Sequence, residues 1–384
     1  MQYQFPAKLA DLKIAVIYDR VNSRGGAEQI LKQIKKLLPQ AELVTSVYDP
    51  VGAPWAKSWS VNAVVNNSFL ASKHRWLGWL MPWIFESVEL EKYDLVISVT
   101  SEAAKGVITK PEQLHLCYLL TPTRYLWSHR NFYLQQIPNF IRWLAMRIFK
   151  YLQTWDYLLA QRPDKIIAIS NLVARRCLVH YDRQSDKVIY PPLVSLPASQ
   201  EPRYKPTQPF FFTWGRLVAY KRFDLLIKAA CQGKFNLVIA GDGPLAGRLR
   251  QLANQLDPQG RLIKFVGWID QSSLAWYLQN AQAAVFPQVE DFGLVVLEAM
   301  SQGCPVIVNK SSGAAEIVRP NIDGLFLEDQ KTATISQTMS LASQARWHKL
   351  DIKRQASQYA EVAWQKQFIK FVESEWQKHR KGMR

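Results

Sequence analysis

Cysteine is scarce in this chain of 384 residues: Cys117, Cys177, Cys231 and Cys304 each stand alone in apolar surroundings, and no Cys-x-x-Cys pair occurs. A disulfide framework and a thiolate zinc site are thereby excluded, and a reducing, cytoplasmic compartment fits. The six histidines show no His-Glu-x-x-His spacing, and Asp-x-Asp is missing altogether, so no metal-ligating residue is expected. Acids are short as well, with 31 Asp and Glu against 48 Lys and Arg and a net charge of +17. Such an excess suits an anionic partner, whether nucleotide, nucleic acid or phospholipid surface, and charge alone does not choose among them. No DNA- or RNA-binding motif accompanies the charge, so nucleic acid is not the expected partner.

Long apolar runs are also lacking. The longest, residues 76–85 (WLGWLMPWIF), is about half of the roughly 20 residues a spanning helix needs, and Pro82 interrupts it. The opening MQYQFPAKLADLK has neither the basic flank nor the apolar core of a signal peptide. The expectation is a chain without a transmembrane segment, working inside the cell.

What is present is alternation. Apolar, β-branched runs at 13–19, 43–47, 95–99, 114–119 and 165–169 are separated by intervals of helical length. Strands that are apolar throughout, alternating with helices, imply a parallel sheet covered on both faces. Residues 190–209 hold six prolines and no helical period, so they read as an extended linker. The alternation then restarts with strands at 210–213, 237–240 and 263–266. The fold class is therefore α/β. A first domain covers 1–190, a linker 191–209, a second domain 210–355, and a helical tail 356–384 is expected to return to the first domain. Hydrophobic content of 48% is ample for two packed cores.

Residues 286–312 (FPQVEDFGLVVLEAMSQGCPVIVNKSS) concentrate the chemistry. They read as strand, loop, helix and strand, with Glu290 in the loop and Glu298 on the helix. Loops at the carboxyl ends of parallel strands are where open α/β sheets hold ligands. Amides of Phe292, Gly293 and Leu294 at the helix start would suit a phosphate. Gly215, Arg216 and Lys221 follow the first strand of the same domain. Alone they read as a solvated basic loop, but beside two acids they read as a clamp for a diphosphate, with Arg forked and Lys a point charge. In the first domain Gly25 and Gly26 would let a backbone approach a ligand closely. Two stretches, 73–85 and 130–157, mix aromatic and basic residues as interfacial helices do, and core packing accounts for the aromatics equally well.

With these residues in view, the chain resembles the retaining glycosyltransferases of family 4, whose GT-B fold has two Rossmann-like doubly wound domains facing across a cleft. Glu290 and Glu298 match that family's E-x7-E motif, and Gly215, Arg216 and Lys221 match its phosphate loop. Gly25-Gly26-Ala27-Glu28 is similar to its amino-terminal glycine loop. The run Thr121-Pro122-Thr123-Arg124-Tyr125-Leu126-Trp127 further resembles mannosyltransferases of bacterial O-antigen and exopolysaccharide assembly. Leu120 stands where that subgroup has His, and Ser128 where it has Asp.

The resemblance implies a retaining, metal-independent transferase, with no cofactor beyond a nucleotide-sugar co-substrate such as GDP-mannose. Glu298 would hold the ribose, Glu290 the sugar hydroxyls, and Arg216 with Lys221 the departing diphosphate. Gly25, Gly26, Gly215, Phe292, Gly293 and Leu294 would line the nucleotide-sugar site. The acceptor would be a lipid-linked glycan, reached by peripheral attachment to an anionic membrane surface on the inner face of the plasma membrane. A UDP-sugar donor, or a protein that binds sugar nucleotides or glycans without transferring them, remains an open alternative.

Overall fold

A computed structural model describes residues 9–22, 25–65, 80–135 and 137–382. Residues 23–24 of the first glycine turn and 73–79 of the aromatic basic stretch fall outside them. The chain divides into two compact units, Met1–Pro192 with Glu361–Arg384, and Leu193–Ala360.

The first unit is built on β1 (Ile14–Tyr18), β2 (Glu42–Val47), β3 (Val61–Val65), β4 (Leu95–Thr100), β5 (Leu114–Leu119), β6 (Lys165–Ala168) and β7 (Lys187–Val188). They form one sheet in the order β3-β2-β1-β4-β5-β6-β7, with every pairing parallel. β4 and β5 are buried at every position, as strands covered on both faces must be. The helices are α1 (Ala27–Leu37), α2 (Met81–Glu86), α3 (Arg130–Gln135), α4 (Asn139–Leu159) and α5 (Asn171–Tyr181). Strand order reverses between β1 and β4, the two central strands.

The second unit repeats this plan with β8 (Phe210–Trp214), β9 (Asn236–Ala240), β10 (Ile263–Gly267), β11 (Ala284–Phe286), β12 (Val306–Asn309) and β13 (Gly324–Leu327). Its parallel sheet runs β10-β9-β8-β11-β12-β13, so the reversal lies between β8 and β11. The helices are α6 (Phe223–Gly233), α7 (Ala246–Leu256), α8 (Gln271–Asn280), α9 (Leu294–Ser301), α10 (Thr332–Gln344) and α11 (Lys349–Ser357). A core of Phe211, Leu226, Ile239, Val285, Ile307 and Met339, all essentially inaccessible to solvent, lies under α6 and α10.

The boundaries of the second unit are set by two local contacts of its ends. The proline-rich stretch is irregular, but from Leu193 onward it counts with the second unit. Its backbone is pinned there: Leu193 N donates to Tyr359 O at 2.7 Å, Gln200 N to Ser272 O at 3.2 Å, and the Tyr277 hydroxyl to Tyr204 O at 2.6 Å. The carboxyl-terminal tail expected over 356–384 is one helix, and it is separate from the helix before it. α11 stops at Ser357, Ala360 bridges Leu193 in extended form, and α12 (Glu361–Gly382) starts beyond it in the first unit. Hydrogen bonding to Leu193 takes the chain out of helical geometry at that point, a long-range demand that periodicity does not carry.

Candidate functional site

In the second unit the reversal of strand order puts the loop after β8 beside the loop after β11. Gly215 follows β8 at φ +136°, a conformation that residues with a side chain rarely adopt. A Cβ there would come within 3.0 Å of Lys221 Nζ, so glycine leaves the ammonium room to lie over the backbone. Gly241, at φ +119° after β9, packs so closely that its Cβ would meet Gly215 O at 2.0 Å. The two turns are locked by backbone bonds, Gly215 N to Ala240 O at 3.1 Å and Leu217 N to Asp242 O at 2.9 Å.

Lys221 ends a short 3-10 turn, Ala219–Lys221, and is 9% exposed. Its ammonium pairs with Glu290 Oε1 at 3.3 Å, and Gln288 Nε2 donates to the same oxygen at 3.3 Å. Glu290 is held by its backbone. Its amide donates to Ser312 Oγ at 2.9 Å, while the Ser312 hydroxyl and the Gly313 amide donate to its carbonyl at 3.1 and 2.9 Å. Gly313 is required there, because a Cβ would fall 2.0 Å from Asp291 O.

Burial pushes the Glu298 carboxyl up to about 7, and the charge of Lys221 restrains that rise. Lys221 therefore acts on both acids, pairing with one and reaching the other through its field. Arg216 is exposed and has no ion-pair partner among the described residues.

Leu294 is the first residue of α9, and Gly293 caps it at φ +91° without a side-chain bond. The amide row thus begins at Leu294, two residues later than expected from Phe292. Val296 N already bonds Gly293 O at 2.9 Å, so the helix amides without an intrahelical partner are those that precede it. Pro244 lies in the turn before α7, which begins at Ala246.

The structure therefore brings Gly215, Lys221, Glu290, Gly293, Leu294 and Glu298 to one end of one sheet. Gly25 and Gly26 belong to the other unit. Both are exposed, and Gly26 caps α1 at φ −73°, so neither its capping position nor its φ needs a glycine. Ser312 and Gln288 were not among the expected residues. Ser312 follows β12 and reaches Glu290 only because β12 pairs with β11, a contact 22 residues away in sequence. Among the described residues, no group of three or more His, Cys, Asp or Glu is placed to hold a metal ion.

The family described as "Glycosyl transferases group 1" matches residues 197–361. An uncharacterized glycosyltransferase of Methanocaldococcus jannaschii is 32% identical over 127 residues, 32% of this chain and 32% of that protein. A protein of Mycobacterium tuberculosis named GDP-mannose-dependent alpha-(1-6)-phosphatidylinositol dimannoside mannosyltransferase is 32% identical over 169 residues, 42% of each chain. The matched part is thus less than half the length of either curated relative. The Anabaena protein HepE, solved in complex with UDP, superposes with a TM-score of 0.64 over 94% of this chain and 100% of its own, at 18% identity. Residues 197–361 thus match the glycosyl transferases group 1 family, and the chain as a whole has the GT-B fold, two Rossmann-like units each built on a parallel sheet.

Proposed function

We propose that this protein is a retaining glycosyltransferase that moves mannose from GDP-mannose to a hydroxyl of a lipid-linked oligosaccharide in cell-surface polysaccharide synthesis. The observation that carries the reading is Lys221, held over Gly215, 3.3 Å from Glu290 and felt by Glu298. A buried cation between two carboxylates awaits an anion that both acids help to frame. In this reading Glu298 accepts the ribose hydroxyls and Glu290 the hydroxyls of the transferred sugar. Lys221, Arg216 and the first amides of α9 take up the charge that develops on the departing diphosphate.

The reaction breaks the bond from the anomeric carbon to the diphosphate and forms one to the acceptor oxygen on the same face. The acceptor's proton passes to the leaving phosphate, so no protein nucleophile is called for. The chain supplies position and positive charge without a metal. GDP-mannose is favoured by the name of the M. tuberculosis relative, and a UDP-sugar by the ligand of HepE.

A lipid-borne acceptor calls for contact with a membrane. No helix among the described residues is long and apolar enough to cross one. α4 instead leaves Phe140, Trp143, Leu144, Ile148 and Tyr151 exposed beside Arg147 and Lys150. Such a helix can lie in the interface of an anionic bilayer.

The test is a thermal-shift screen of GDP-, UDP- and ADP-sugars, followed by turnover of any donor that binds. GDP-mannose should raise the melting temperature and support multiple turnover, and Lys221→Ala should lower kcat by about 100-fold. Turnover unchanged in both Lys221→Ala and Glu298→Ala would dismiss the site.

A further inference from the structure

The strands that lead into Lys221 and Glu290 are neighbours with little backbone pairing between them. β8 and β11 share a single register pair, Phe212 with Ala284, where β8 and β9 share five. Toward the loops no further pair of β8 with β11 follows among the described residues, so pairing stops short of the crevice at the reversal of strand order. A direct tie between the two loops is the ion pair of Lys221 with Glu290 at 3.3 Å. In the transferase reading that pair loosens, because Lys221 turns to the diphosphate and Glu290 to the sugar. The gap between them then needs a second support.

Gln330 supplies one. It lies between β13 and α10 and is half-buried, so water could serve both ends of its amide. Instead Nε2 donates to the carbonyl of Pro287, at the start of the Glu290 loop, at 2.8 Å, and Oε1 accepts from Arg222 Nη1 at 3.5 Å. The Pro287 carbonyl has a second donor in Asn309 Nδ2 at 3.3 Å, so the end of β12 and the loop after β13 hold the same atom. Arg222 directly follows Lys221. Its guanidinium forks onto Asp224, Nε to Oδ1 at 3.2 Å and Nη2 to Oδ2 at 3.3 Å, which fixes its direction. Its backbone is left-handed at φ +55°, a conformation that costs free energy in a residue with a side chain. That conformation closes the 3-10 turn of Lys221 and caps α6. The two adjacent cations thereby serve different partners, Lys221 reaching Glu290 itself and Arg222 the residue that holds the base of its loop.

We propose that Gln330 and Arg222 are positioning residues that keep the Lys221 ammonium and the Glu290 carboxylate at a fixed separation while the donor occupies the space between them. The assignment rests on the transferase reading above, in which Lys221 acts on the diphosphate side of the bond that breaks and Glu290 on the sugar side. A displacement of about 1 Å there can cost about 100-fold in rate, so a brace that touches no substrate still governs kcat.

The test pairs turnover with a measurement that needs none. Gln330→Leu removes both bonds. Gln330→Glu is nearly isosteric, keeps an acceptor for Arg222 and loses the donor to Pro287, and Arg222→Gly suits the left-handed backbone while deleting the guanidinium. In the full chain without ligand, amide exchange at residues 288–291 should quicken about tenfold in each folded Gln330 variant, while β8 and β9 keep their protection. With GDP-mannose or UDP-glucose as donor and octyl α-mannoside or water as acceptor, the same variants should lower kcat about tenfold and Arg222→Gly about threefold, with the donor KM within about twofold of wild type. In a Glu290→Ala background Gln330→Leu should lower kcat no further, since a residue that acts through Glu290 then has nothing left to position. Exchange at 288–291 as slow as in the wild type, kcat unchanged in the folded variants, or an equal loss from Gln330→Leu with and without Glu290 would overturn the proposal. Quickened exchange in a chain that consumes neither donor would keep the brace between the loops and remove the transferase reading.

Discussion

Glu298 is the residue whose chemistry is most exposed to measurement. Burial raises its carboxyl from the usual 4.5 to about 7, with Lys221 opposing the rise. The folded state therefore retains a proton that the unfolded chain has released, so this stabilising contribution is complete below about 4.5 and is lost as pH rises through about 7. Glu298→Gln should remove that slope, which urea titrations at pH 5 and pH 8 would show. Ribose recognition calls for the ionised form, and a nucleotide sugar carries no group titrating near 7. Donor affinity should accordingly rise by up to about tenfold per pH unit toward 7 and level off above it, while in Glu298→Gln it should be weak and flat. A pH-independent donor affinity in the wild type would show that Glu298 does not meet the ribose. Gly215, Lys221 and Glu290 stood out in sequence because they lie in the connections that follow apolar strands, and Glu298 because it lies on the helix that the second of these connections opens. Ser312 did not, because its bond to Glu290 exists only once β12 has paired with β11.

Among elements, α4 is the one least explained by its own unit. Of its 21 residues, only Leu152, Asp156 and Leu159 are buried, all within the last eight. From residue 113 through 155 the chain has no Asp or Glu at all, while Arg142, Arg147 and Lys150 lie on this helix. Each cation near an anionic bilayer contributes roughly 1 kcal/mol, so removing two should cost about 2 kcal/mol, near a thirtyfold loss of affinity. Reversing Arg147 and Lys150 to Glu should lower binding to phosphatidylglycerol vesicles by at least that factor. Co-sedimentation measures it, and equal binding to pure phosphatidylcholine would contradict an electrostatic surface. The composition of this stretch was readable in sequence, but core packing explained its aromatics equally well until their exposure was seen. β3, β7 and β13 escaped sequence reading for a related reason. Val61–Val65 has no buried residue and every second one is exposed, Lys187–Val188 is two residues long, and Gly324–Leu327 is four with a glycine at its start, so none shows the long buried run that marks a central strand.

At the scale of the molecule, the alternation of strand and helix conveyed two sheets, but not where the chain passes between them. Those crossings lie beside each other, at Leu193 and Ala360, and the second sends α12 back to the first unit. The fit of α12 there is specific. Trp364 is 2% exposed, stacks on Phe368 at 4.7 Å, and donates from Nε1 to the Tyr118 hydroxyl on β5 at 3.2 Å. Burial raises that hydroxyl's pKa above its ordinary value, so it stays protonated and the contact does not change across physiological pH. Removing a buried indole from such a site costs about 3–5 kcal/mol. Trp364→Ala should therefore speed amide exchange in β5 and α12 by orders of magnitude, while the core strands β8, β9 and β11 keep their protection and nucleotide affinity is unchanged. Exchange that quickens equally in both sheets would mean that they unfold as a single cooperative unit, and the last 24 residues would then stabilise the second sheet as much as the one they cover.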